Sequence, residues 1–184
     1  LIAKPQSPDA VVPVSEVAGE PLYQAYIGSS ANPGFRDFAV AAHMVRQRRV
    51  PDSVSFDVSP STRRVLSELA ATGLLVDLLQ AGARVHQAGC NGCIWMGQAP
   101  ASGKNSLRTV PRNFAGRSGT PDDRVWLCSP ETAAASALAG RITDPRELAS
   151  GPGPITEAPA PTRALIDMFL RPEEAATRRA TALV

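Results

Sequence analysis

Val85-His86-Gln87-Ala88-Gly89-Cys90-Asn91-Gly92-Cys93-Ile94-Trp95-Met96-Gly97 places two of the chain's three cysteines three positions apart. A C-x-x-C turn brings two sulfurs close enough to grip one metal centre or to close a disulfide. The small residues in and around it let the backbone turn tightly and let amides point at sulfur. Ala83-Arg84-Val85-His86-Gln87 reads as the strand that delivers the turn. The third cysteine, Cys128, is distant, in Arg124-Val125-Trp126-Leu127-Cys128-Ser129-Pro130-Glu131. What the three can do together depends on whether the fold brings Cys128 to the same pocket.

Working outward, Leu22 to Ile27 is expected as a first strand, stopped by Gly28-Ser29-Ser30-Ala31-Asn32-Pro33-Gly34. Phe35, Phe38, Ala42 and Val45 recur at helical spacing and predict an amphipathic helix over 35–48. Val54 to Val58 alternates as a short strand. Pro60-Ser61 opens a helix through Val65, Leu66 and Leu69, closed by Gly73, and a second short helix buries Leu74, Leu75, Leu78 and Leu79 before Gly82. Leu107 to Val110 and Val125 to Cys128 are two further strands. Ser129 caps, and Pro130 begins, an Ala-rich helix that runs to Gly140.

Strands alternating with helices predict an α/β fold, a parallel-type sheet with helices on both faces. Ligands bind such sheets at the carboxyl ends of the strands. Gly28-Ser29-Ser30, Cys90 and Cys128 all fall at such ends. Residues 1–20 read as an extended linker and 21–146 as the α/β domain. Residues 147–184, with Gly151-Pro152-Gly153-Pro154 and Pro159-Ala160-Pro161, read as a Pro-rich linker and a short helical tail, Arg163 to Leu170.

With 184 residues, 43% of them hydrophobic, the chain can bury one substantial core. Its net charge is +2, no run of like charge reaches five residues, and aromatics are few, which argues against a nucleic-acid surface. No apolar run is long enough for a transmembrane helix. An odd cysteine count with one C-x-x-C argues for a reducing, cytoplasmic setting over a secreted disulfide scaffold. The start, Leu1-Ile2-Ala3-Lys4-Pro5, lacks Met and a signal pattern and reads like a start in mid-protein.

By residue type alone, Cys90 and Cys93 could bind zinc, form a redox pair or hold an iron–sulfur cluster, or simply pack as small hydrophobes. Cys128, just before a capped helix, sits where a thiolate is favoured, although core packing is the commoner role of a lone cysteine. Arg112 and Arg117 lie five apart around a glycine, just past a strand end. Two guanidinium groups there suit bidentate capture of carboxylates, with solvated surface arginines as the plainer reading.

Gly28-Ser29-Ser30-Ala31-Asn32, Cys90-Asn91-Gly92-Cys93-Ile94, Arg112-Asn113-Phe114-Ala115-Gly116-Arg117 and Ser129-Pro130-Glu131 with its Ala-rich helix follow one another at set intervals. Together, over roughly residues 20–146, they resemble the third α/β domain of the aconitase and isopropylmalate isomerase family. The resemblance implies a hydro-lyase that interconverts hydroxy-polycarboxylic acids, with three cysteines holding a [4Fe-4S] cluster whose open iron acts as Lewis acid. Cys90 and Cys93 match two ligands, Arg112 and Arg117 match carboxylate-binding or supporting arginines, and Asn32 matches the Asn closing the first cysteine motif. Ser30 stands where that motif has its cysteine, and Pro111 replaces an Asn. Cys128 is expected to take over as third ligand, the lost cluster being the alternative.

The resemblance further implies that the chain is one segment of a larger assembly whose remaining domains or subunit complete the site. A metal- or redox-binding module and a catalytically inactive aconitase-like domain are the competing readings.

Overall fold

Gln24–Gly28 alternates strictly, with Ala25 and Ile27 on one face and Gln24 and Tyr26 on the other, and all four side chains are at most 1% exposed. A computed structural model describes residues 1–31, 33–148 and 156–157. In it this strand is the middle of the five parallel strands of one seven-stranded sheet. The strands are β1 (Ile2–Ala3), β2 (Val11–Val12), β3 (Gln24–Gly28), β4 (Ser55–Ser59), β5 (Arg84–Val85), β6 (Asn105–Arg108) and β7 (Arg124–Cys128), in the order β2-β1-β7-β6-β3-β4-β5. From β7 to β5 all neighbours are parallel; β1 joins β7, and β2 joins β1, antiparallel.

The expected α/β class with a mostly parallel sheet is what the chain adopts. The helices, however, gather on one face. These are α1 (Phe35–Val45), α2 (Arg63–Ala71), α3 (Leu74–Gln80) and α4 (Pro130–Ala139). Phe38, Leu69, Leu74, Leu78 and the alanines of α4 share one core with Ala25, Ile27, Phe56, Val58, Leu107 and Trp126. Right-handed crossovers explain this one-sidedness. The steps β3 to β4 and β4 to β5 run the same way along the sheet and carry their helices on the same face. The step from β5 runs back to β6, so its connection must cross the opposite face, and that connection is the C-x-x-C segment.

The face it crosses is polar: Gln24, Asp57, Ser106 and Arg108 are each at most 1% exposed. Register brings them together, Gln24 opposite Ser106 and Tyr26 opposite both Asp57 and Arg108. Because such residues do not read as strand, β6 was expected to begin at Leu107 but begins at Asn105.

Residues 1–20 are not a linker. Ile2 pairs with Cys128, and Ile2, Ala3 and Val14 are buried; two-residue strands leave no periodicity to detect. Thr62, one place beyond the expected Ser61, caps α2 by accepting from the Val65 amide at 3.2 Å. Ser129 caps α4 as expected, accepting from the Thr132 amide at 3.3 Å. The four alanines at 133–135 and 137 are wholly buried, and their small side chains let α4 lie close against both α1 and β3. Beyond Leu148 only Thr156 and Glu157 are described, so the Pro-rich segments and the helix expected at Arg163 to Leu170 lie outside the described residues. Among the described residues no helix is long and apolar enough to cross a membrane.

Candidate functional site at the strand ends

The loop leaving β5 is stitched to the neighbouring strand before it reaches the cysteines. The His86 amide donates to the Val58 carbonyl (2.8 Å) and the Gly89 amide to the Pro60 carbonyl (2.9 Å). Gly92–Ile94 then forms a single 3-10 turn, so Cys90 is half-buried and Cys93 is 2% exposed. Gly92 must be glycine for lack of space: a Cβ there would lie 2.8 Å from the Tyr26 ring. The turn ends with Trp95 in the left-handed region (φ 73°), its side chain exposed.

Cys90 and Cys93 stand side by side, and the Arg117 guanidinium lies near the Cys93 thiol. Burial is the chief reason the Cys93 thiol is pushed up; the neighbouring Cys90 pushes it further, and Arg117 opposes both. Arg117 sits on a turn closed by its own amide donating to the Phe114 carbonyl at 2.9 Å. Its Nε–H is buried and has no partner among the described residues, and the same holds for Asn91 Oδ1 in the C-x-x-C turn. A shallow pocket of about 310 Å³, lined by Trp95, Ala115, Gly116, Gly119 and Pro121, flanks the two turns. Arg112 is exposed. The intervening Asn113 is fully buried and ties the arginine loop down, its Nδ2 donating to the Lys4 and Val125 carbonyls at 2.8 and 2.9 Å.

Cys128 does not join the pair. Along β7 Leu127 faces the small cluster of Tyr26, Cys93 and Val110, and Cys128, the next residue, turns to the helix-side core. Desolvation, with Glu131 nearby, raises its thiol well above the ordinary range, the opposite of what a ligating thiolate needs. Ser30 is exposed two residues past the end of β3, and Asn32 lies outside the described residues. Among the described residues no three of His, Cys, Asp and Glu are grouped to hold a metal. The donor set therefore does not fit a [4Fe-4S] cluster held by three cysteines of this chain.

Beneath the turn lies a constellation that sequence reasoning missed. His86 Nε2 meets Asp57 Oδ1 at 2.9 Å, and Asp57 also accepts from Gln24 Nε2 (3.0 Å) and Ser55 Oγ (2.8 Å). Arg108 donates from Nε to Ser106 Oγ (2.9 Å) and from Nη2 to Gln24 Oε1 (2.8 Å). The ring of Tyr26 carries both His86, stacked at 5.7 Å, and the Arg108 guanidinium, 4.9 Å from its centroid. Burial lowers Arg108 to about 10, partly offset by Tyr26, Asp57, Asp123 and Cys93, so it stays charged at neutral pH. The available signal was the run of polar residues at alternate strand positions, where a parallel sheet ordinarily reads as continuously apolar.

A family model described as "Aconitase family (aconitate hydratase)" matches residues 3–140. The chain is 40% identical over 148 residues to the 3-isopropylmalate dehydratase large subunit 2 of Archaeoglobus fulgidus, a match covering 80% of this chain and 36% of that protein. It is 44% identical over 147 residues to the 3-isopropylmalate dehydratase large subunit 1 of Methanopyrus kandleri, covering 79% and 35%. It is 42% identical over 142 residues to the homoaconitase large subunit of Thermus thermophilus, covering 76% and 34%. The chain thus spans about a third of the length of these relatives.

Proposed function

The chain belongs to the aconitase family, and from that premise we propose that it is a segment of an aconitase-type hydro-lyase that binds one end of a hydroxy-polycarboxylic acid at its strand-end rim. The observation that carries the reading is Arg117. It is held against Cys93 on that rim, with a buried Nε–H that has no partner among the described residues. A carboxylate placed there would satisfy the donor and use the guanidinium's planar fork. The partly buried setting strengthens such a contact over the same contact in water. Arg112, exposed five residues earlier, is placed to approach a second carboxylate. These residues bind and orient the acid. The groups that remove and return water come from the remaining domains or from the companion subunit that the relatives' designation as large subunits suggests.

In the enzyme assembled from this chain and its missing parts, Arg117→Lys is expected to lower kcat/KM about ten- to a hundredfold, through the loss of one charge-assisted contact. Arg112→Lys acts in the same direction and less strongly, because the residue is solvated. Hydratase activity should appear only on mixing with the remaining domains. Turnover by the 184-residue chain alone, or unchanged kinetics in both variants, would sink the reading.

The third thiol the family uses is missing at Ser30, and Cys128 faces away. Ser30→Cys should therefore raise the iron and sulfide retained after anaerobic reconstitution to ~4 of each per chain, with Cys128→Ser leaving retention unchanged. Equal retention by the unaltered chain would show that Ser30, or a ligand from outside these residues, already suffices.

A further inference from the structure

We propose that Arg108, acting with Tyr26, is a positioning residue for the Cys90–Cys93 turn. Gly92 lies between the two cysteines, and the sheet beneath takes both of its backbone polar groups. Its N–H donates to Tyr26 Oη at 3.0 Å, and its carbonyl accepts from Arg108 Nη1 at 2.5 Å. The two peptide planes on either side of Gly92 are thereby fixed, and with them the backbone that joins the two cysteines. Arg108 also donates from Nη2 to the Gln98 carbonyl at 2.8 Å, so a single guanidinium ties the middle of the loop to its far end. At the near end His86 is tied to Asp57, and Asp57 reaches Arg108 through Gln24. The loop over 86–98 is anchored at both ends and at its centre by one buried polar chain.

A wholly buried arginine is an expensive way to hold a turn that backbone hydrogen bonds could close. What it adds is direction: four of its donor contacts leave one planar group at fixed angles, which neither a lysine nor a water would reproduce. Its fixed positive charge also lies within electrostatic reach of Cys93. The proposal deepens the reading of the rim as the active surface, and its test reads the thiols directly, so the two can fail separately.

The test uses the whole chain with Arg108→Lys or Tyr26→Phe, the second removing one hydroxyl and retaining the ring. Alkylation of each cysteine by iodoacetamide is followed by mass spectrometry, and the Gly92 amide by hydrogen exchange. Each variant that keeps the circular dichroism of the parent should alkylate Cys90 and Cys93 about tenfold faster, the factor set by one lost hydrogen bond. Gly92 exchange should rise with it, and Cys128 should stay as slow as before. Folded Tyr26→Phe with unchanged rates at Cys90, Cys93 and Gly92 would overturn the proposal. So would equal acceleration at all three cysteines, which would mark a general loosening of the fold.

Discussion

Arg108→Met is expected to destabilise the chain by about 3–5 kcal/mol, the cost of removing one partner from a buried ionic network. Methionine fills much of the volume, so the loss is polar rather than a cavity. The Gly92 and Gln98 carbonyls would each be left under the loop without the guanidinium donor they now have. Asp57, with no exposed surface, would lose the cation that reaches it through Gln24. Arg112→Met is the control, since that side chain is exposed and its replacement should stay within about 0.5 kcal/mol. Urea denaturation of both variants reads the difference. Near-equal midpoints would mean that Arg108 contributes no more than a surface residue and that the polar chain under the cysteines is not cooperative.

The helix-bearing half of the fold was legible because its signals are local. Ser129, Pro130 and Gly140 bracket α4 as their backbone chemistry dictates, and the apolar spacing of Phe35, Phe38, Ala42 and Val45 finds α1. The C-x-x-C turn was rightly placed just past a strand. What failed depended on strand order and on parity, and neither is written in a local window. Helices on both faces would require the steps to and from β6 to carry helices, and those connections are loops. Cys128 illustrates parity: it ends the correct strand at the correct end of the sheet, and one residue of pleat puts it on the wrong face. Arg117 was singled out as a candidate because its motif is contiguous. Arg108, Gln24 and Asp57 were missed because three strands supply one polar cluster, and no single strand shows it.

Gly28→Ala is expected to cost about 2–6 kcal/mol, from backbone strain of about 1–3 and forced overpacking of a similar size, a large share of a small domain's stability. Gly28 ends β3 at φ 119°, and an added Cβ would come within 1.9 Å of the Ser59 carbonyl oxygen and 2.7 Å of its carbon. That carbonyl cannot retreat, because Ser59 is the last residue of β4 and lies in register with Gly28 itself. Nor can Gly28 move the other way, since its amide is held by Thr109 Oγ1 at 2.9 Å. The close approach is what bends the chain out of the central strand toward Ser30 and the rim where the cysteines and Arg117 converge. Gly103 separates the two causes: its φ is also positive, at 66°, but an added Cβ would meet nothing within 4 Å. Gly103→Ala should therefore cost only the left-handed penalty, about 1 kcal/mol. Soluble yield and thermal melting of the two variants decide the matter. If Gly28→Ala costs no more than Gly103→Ala, the contact with the Ser59 carbonyl is not what demands glycine there, and the path of the chain into the rim has another cause.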